Sequence, residues 1–137
     1  MTSIGTGTDP RIVTWQPLRP GRISRTTLAL FGGASGDHNP IHLDLDFARA
    51  NGRDDVFAHG MLSMAYLGRL LTDHVEPGDI ESFQVRFSAI TEVNAEPVCT
   101  AEVRAVEDGI AELELKVEVD GVVTLIGDAR VRVPAAG

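Results

Sequence analysis

The stretch HGMLSMAYLGRLLTDHV, residues 59–75, limits the possible fold more than any other segment of the chain. Met61, Met64, Ala65, Gly68, Leu71 and Val75 recur at helical spacing, and Leu62, Leu67 and Leu70 widen the apolar face well beyond one stripe. A helix apolar around most of its circumference has to be buried. About fifteen residues at ~1.5 Å each give roughly 22 Å, enough to run through the middle of a small domain.

After residue 79 the hydrophobic period changes from helical to two. SFQVRFSAI places Phe83, Val85, Phe87 and Ala89 on one face, and AELELKVEV (111–119) alternates apolar residues with Glu and Lys. VTLIGDARVRV (123–133) alternates as well, and PVCTAEVRAVE (97–107) is the strand between. The turn signals EDG (107–109) and VDG (119–121) sit where hairpins need them. One-sided alternation predicts an antiparallel sheet with one face buried and one in water. The expected architecture is α+β: a meander of four long strands curled around one central helix, which the sheet is needed to cover.

The N-terminal half is read more locally. Residues 1–10 are expected to be a loose arm, and RIVTWQ (11–16) a short β-segment closed by the prolines at 17 and 20. SRTTLALFGG (24–33) predicts a short helix capped by Ser24 and ended by Gly32 and Gly33. DFARANG (46–52) predicts a two-turn helix between an Asp cap and a Gly stop. The 137 residues suit a single domain spanning 1–137, large enough to bury its own core.

The formal net charge of −8 argues against nucleic acid or an anionic membrane as a partner. Eleven of the twelve basic residues are Arg, which suits fork-like phosphate contacts and leaves room for a phosphorylated small molecule. Cys99 is the only cysteine, so no disulfide framework or cysteine-based zinc site is expected. The N-terminus lacks the pattern of a signal peptide and no run is long enough to span a bilayer, so the expected location is cytoplasmic.

Against this background SGDHNPIHLD (35–44) stands out, with six of its ten residues Ser, Asp, His or Asn. Asp37 and His42 would lie about 140° apart on a regular helix, but a loop bent at Pro40 lets them converge. A carboxylate and an imidazole meeting on one water form an acid–base pair able to work near neutral pH. Asn39 lies between them, where its amide can orient Asp37 or a substrate oxygen. The competing reading is an ordinary Asx-rich turn around a proline. A metal held by Asp37, His42 and His59 is a third reading, without the helical His spacing that would support it. Gly60 opens the long helix, where free amides favour developing negative charge and the missing side chain lets a carbonyl oxygen approach. Taken alone, Gly60 is better explained as a glycine that merely allows tight packing. Cys99 reads as core, His74 as a helix-terminal cation, and Ser63 has no nucleophile-elbow context.

Together, FGGASGDHNPIHLD and VFAHGMLSMAYLGRLL resemble the MaoC-like dehydratases, a family that includes the R-specific enoyl-CoA hydratases. The matching positions are Gly36, Asp37, Asn39, Pro40, Ile41 and His42, then His59, Gly60 and Met61. Phe31 stands six before Asp37, where the family often has an aromatic residue. The resemblance implies a hot-dog fold, usually dimeric through a continuous sheet. It implies reversible syn hydration of a trans-2-enoyl thioester to the (3R)-3-hydroxyacyl thioester, with CoA or an acyl carrier protein as carrier. By the same resemblance Asp37 and His42 hold and activate water, Asn39 orders the site, and the Gly60 amide binds the thioester oxygen. No metal or other cofactor is implied.

A single hot-dog unit favours a homodimer, with a heterodimer containing a related hot-dog subunit as the alternative. Two other functions compete: a hot-dog thioesterase, and a non-catalytic subunit that binds acyl thioesters or stabilises a dehydratase partner. The loop holding Asp37 and His42 speaks against both. Arg86, Arg130 and Arg132 are candidates for the carrier phosphates, or simply solvated strand arginines.

Overall fold

The computed structural model describes residues 15–133, so the N-terminal arm and most of the expected 11–16 β-segment lie outside the described residues. In chain order the elements are α1 (Arg25–Ser35), a 3-10 turn (Pro40–His42), α2 (Leu45–Ala50) and α3 (Gly60–Thr72). A second 3-10 turn (Pro77–Asp79) leads into β1 (Ile80–Phe87), followed by β2 (Val98–Glu107), β3 (Ile110–Val119) and β4 (Val122–Arg132).

The four strands form one antiparallel sheet in the order β1-β4-β3-β2. This corrects the expected meander, because β1 lies beside β4 and not beside β2. The turn chemistry explains the order. Asp108-Gly109 and Asp120-Gly121 both place two consecutive residues at positive φ, the backbone of a tight hairpin. Those two turns join β2 to β3 and β3 to β4. Residues 88–97, between β1 and β2, carry no such pair and cross to the other edge of the sheet. On the way Thr91 and Glu92 pair with the segment entering α3, through Ala58 N–H to the Thr91 carbonyl (2.8 Å) and a bridge between Phe57 and Glu92.

The inner face of the sheet covers α3. Leu67, Leu70 and Leu71 of the helix are buried against Leu113, Leu115 and Val117 of β3 and against Leu125 and Val131 of β4. Each fully buried Leu contributes about 2 kcal/mol. The helix is not covered all round, as its sequence suggested: Met61 is 55% exposed, and Ala65 one turn later is exposed too. Phe87, expected on the inner face, is 54% exposed at the end of β1. At the other edge Leu18 pairs with Cys99 through two 2.9 Å backbone hydrogen bonds, laying the N-terminal segment along β2.

A second, smaller core packs α1 and α2 against the start of α3, through Ile23, Leu28, Ala48, Val56, Ala58 and Leu62. The two short helices each shift from their expected bounds. α1 runs through Gly32 and Gly33 and stops at Gly36, the glycine that takes the left-handed conformation (φ 78°) and returns its N–H to the Gly32 carbonyl. Ser24 caps its start, as expected. α2 starts after Asp44, whose carboxylate accepts from the Phe47 N–H, and not after Asp46.

One glycine is required by packing. Gly127 of β4 lies opposite Val85 of β1, and a Cβ there would run into the Gln84 carbonyl oxygen and come within 2.9 Å of the Val85 side chain. Gly127→Ala should therefore lower stability in urea unfolding by about 2 kcal/mol or more, because backbone of the neighbouring strand has to move. Gly33→Ala in α1, where a Cβ meets nothing within 4 Å, should instead raise stability by about 0.5–1 kcal/mol. Equal effects at the two positions would refute the close approach of β1 and β4.

Candidate active site

The site is built from two short segments that meet in front of α3. The first is the 36–42 loop. Asp37 accepts from the Asn39 backbone N–H at Oδ1 (3.2 Å), and its own N–H donates to Ser35 Oγ (3.2 Å). The Asn39 carboxamide oxygen accepts from the Ile41 N–H (3.0 Å) and caps the 3-10 turn that begins at Pro40. The orienting role expected of the Asn39 amide group thus falls to its backbone N–H, while its side-chain oxygen shapes the turn. That turn swings His42 inward. Its side chain is only 11% exposed, whereas Asp37 remains 48% exposed.

The second segment is Phe57–Gly60. The His42 Nδ1 lies 2.7 Å from the Phe57 carbonyl oxygen. A carbonyl can only accept, so in the neutral ring Nδ1 carries the proton and Nε2 presents a lone pair. That lone pair faces Asp37 Oδ2 across 4.0 Å. The separation is too long for a direct hydrogen bond and suits two groups that share one oxygen atom. Phe57 is held in turn: its ring packs edge-on against His42 (5.0 Å) and lies beneath the Arg53 guanidinium, whose Nη2 donates to both carboxylate oxygens of Glu92.

His59 closes the arrangement. It is 1% exposed, and its ring stacks on His42 at 4.0 Å and 27°. Its Nε2–H donates to the Asp37 backbone carbonyl (3.1 Å), and Phe31 meets it edge-on at 5.0 Å. Burial lowers its proton affinity below the ordinary value of 6.5, an effect that the hydrogen bond to Asp37 only partly opposes. His59 is also the N-cap of α3, yet it makes no side-chain capping bond, so the first amides of the helix have no partner from it. Gly60 comes next, on the wall of a cavity of about 360 Å³ lined by Phe57, Ala58, Phe87, Ala89, Ile90 and Leu125.

The remaining candidates separate from this centre. Asp37, His42 and His59 each offer a ligand atom, all within 4.8 Å of one another. One nitrogen of each ring donates to a backbone carbonyl, which leaves the other, His42 Nε2 and His59 Nδ1, with its lone pair. His38 is exposed. His74 lies past the end of α3, with its Nδ1 3.0 Å from the Leu70 carbonyl and its ring stacked on Trp15 at 4.2 Å. Burial pushes the Cys99 thiol up to about 12, which leaves it inert. Arg130 pairs with Glu112, and Arg132 with Asp79 and Glu81. Arg86 lines a groove on the sheet with Gln84, Arg104 and Asp128, none of which lines the cavity beside Gly60. Phe57 and Phe87 were not singled out from the sequence. The first acts through a backbone carbonyl, which leaves no signal in residue type, and the second was expected in the core.

Comparison with known proteins identifies the family. The profile of the MaoC like domain matches residues 5–124. The chain belongs to the MaoC-like dehydratase family. It is 32% identical over 119 residues to an (R)-specific enoyl-CoA hydratase of Rhodospirillum rubrum, covering 84% of this chain and 83% of that one. Among solved structures, the (R)-hydratase from A. caviae involved in PHA biosynthesis superposes with a TM-score of 0.79 at 27% identity, covering 91% of this chain and 99% of that one. R-hydratase PhaJ1 from Pseudomonas aeruginosa has the same fold, with a TM-score of 0.79 at 24% identity over 89% of this chain and 82% of that one. The MaoC-like chain is thus a hot-dog fold, and α3 is its wrapped helix. None of its described helices is long and apolar enough to cross a membrane.

The buried, neutral His59 ties the stability of this MaoC-like domain to pH. Its affinity for a proton is lower folded than unfolded, so the unfolded chain binds more protons below about pH 6.5. Its contribution is therefore fully present above that value and is lost as pH falls through the lowered folded value. The urea midpoint should drop between about pH 7.5 and about pH 5, and His59→Phe should flatten that drop. An unchanged slope in the variant would show that His59 is not the titrating group.

Proposed function

We propose that the protein is a hydro-lyase that adds water reversibly to trans-2-enoyl-CoA and yields the (3R)-3-hydroxyacyl thioester. The observation that carries this reading is the placement of Asp37 Oδ2 and His42 Nε2, 4.0 Å apart, close to the uncapped N-terminus of α3 at Gly60. The identity to an (R)-specific enoyl-CoA hydratase and the likeness to the A. caviae (R)-hydratase support it.

The chemistry follows from the groups present. The thioester carbonyl oxygen sits against the Gly60 amide, where the helix dipole and an unpaired N–H stabilise enolate charge. Water rests between Asp37 and His42. Nε2 of His42, the free lone pair of the ring, takes a proton as the water oxygen bonds to C3. The C2–C3 π electrons move into the enolate, and the imidazolium is held by the Asp37 carboxylate beside it and by the Phe57 carbonyl at Nδ1. The same pair returns a proton to C2 from the same side, so addition is syn. No metal or redox cofactor enters the scheme. The acyl chain occupies the cavity between Phe87, Ile90 and Leu125.

CoA is the carrier in this reading. The net charge is −8, and Arg25, Arg53, Arg104, Arg130 and Arg132 are each paired with a carboxylate, a poor match for an acidic carrier protein. The assembly in this reading is a homodimer. Met61, Phe87 and Ile90 are half or more exposed at or next to the cavity wall, which places an apolar surface beside the site.

With crotonyl-CoA the protein should consume the enoyl absorbance, and the product should be oxidised by an R-specific and not an S-specific 3-hydroxyacyl dehydrogenase. Asp37→Asn and His42→Ala should fold and lose activity by a factor on the order of 10² or more. Thiol release without hydration would instead indicate a thioesterase, and inactivity with every enoyl-CoA a binding subunit. Light scattering on active protein should give twice the 14.7 kDa chain mass. A mass of one chain would refute the dimer.

A further inference from the structure

We infer that His59 is a positioning residue, which sets the approach of Asp37 to His42 and takes no proton in the reaction; this rests on the hydratase reading above. Three observations lead there. First, His59 occupies the N-cap of α3, a position where Ser, Thr, Asp or Asn would bond the first amides of the helix, and it makes no such bond. Its ring turns away from the helix and reaches across 22 residues of chain to the Asp37 carbonyl (3.1 Å). Second, the same ring lies flat on His42 at 4.0 Å, wedged between it and the edge of Phe31. One side chain therefore holds the backbone of the carboxylate and the plane of the imidazole together. Third, His59 Nδ1 is buried and has no hydrogen-bond partner among the described residues. Leaving a buried nitrogen unpaired is unfavourable, and a phenylalanine would fill the same space without that cost. What the imidazole supplies that a phenyl ring does not is the Nε2–H aimed at Asp37.

The arrangement makes sense for an exposed loop. Asp37 sits on the solvent side, and its other hydrogen bonds among the described residues, from Asn39 N–H and to Ser35 Oγ, are local to that loop. The bond from His59 is the one that ties Asp37 to the buried start of α3. Burial keeps His59 neutral, so it brings no positive charge against the imidazolium that forms on His42. A serine or aspartate at residue 59 would cap α3 and occupy an amide near Gly60. The histidine leaves that end of the helix open to the substrate oxygen.

The test compares His59→Leu, which removes ring and donor, with His59→Gln, whose amide can still reach the Asp37 carbonyl. Both are measured as full-length protein on crotonyl-CoA. His59→Leu should lower kcat by about tenfold or more with KM within about twofold, the pattern of misplaced catalytic groups rather than lost substrate contacts. His59→Gln should recover several-fold of that loss. With four histidines in the chain, imidazole nitrogen resonances provide a second readout. Wild type should show an Nε2–H on His59 and an Nδ1–H on His42, and His59→Leu should give a mixture of tautomers at His42. The inference is overturned if His59→Leu, or His59→Phe (which fills the same space without the donor) should the former not fold, keeps wild-type kcat and a single His42 tautomer. It is overturned equally if the whole loss appears in KM. If wild type hydrates no enoyl-CoA, the functional reading fails, while the tautomers still report whether His59 orders His42.

Discussion

A thirteen-residue helix with apolar side chains on most of its sides cannot stand in water, and the rest of this chain is arranged to cover it. Leu67, Leu70 and Leu71 meet the sheet, while Leu62 near the N-terminal end meets the small core under α1 and α2. The two cores divide the helix into a half that holds the fold and a half that holds the site. The second half meets the two buried imidazoles of His42 and His59, and there the start of α3 is left without a side-chain cap.

The site thus concentrates departures from rules that the rest of the described fold mostly obeys. α1 and α2 are both capped by side chains, from Ser24 and Asp44, but α3 is not. Elsewhere the described buried side chains are almost all apolar, but here two imidazoles are stacked, one of them with an unpaired nitrogen. Such breaches are expected where binding or chemistry needs an unsatisfied group. The carbonyls of Phe57 and Asp37 impose the tautomers: each can only accept, so each decides which ring nitrogen keeps a lone pair.

Much of this was legible in the sequence, for definable reasons. The period of the apolar residues located α3 and the strands, and Pro40 signalled that Asp37 and His42 converge. The hairpins followed from Asp-Gly pairs. The sheet order was not legible, because only two of three strand connections carry turn chemistry and the third could run to either edge. Among the three glycines at 32, 33 and 36, only the left-handed backbone at Gly36 decides where α1 ends, and residue type does not distinguish them. The exposed Met61 and Ala65 read as core because an apolar surface beside a site and an apolar interior have the same composition.

The crossed order of the sheet also shapes how the chain folds. β2, β3 and β4 are joined by tight turns and pair with their neighbours in sequence, which costs little loop entropy. β1 finds β4 only across a separation of 44 residues, between Gln84 and Asp128. Contact order is thus concentrated in one strand pairing, and pairings of that kind are slow. Until β1 docks, α3 lacks one wall of its cover, and the edge of β4 that β1 will occupy is open to other chains. The step that completes the hydrophobic core is also the step that closes the sheet against aggregation.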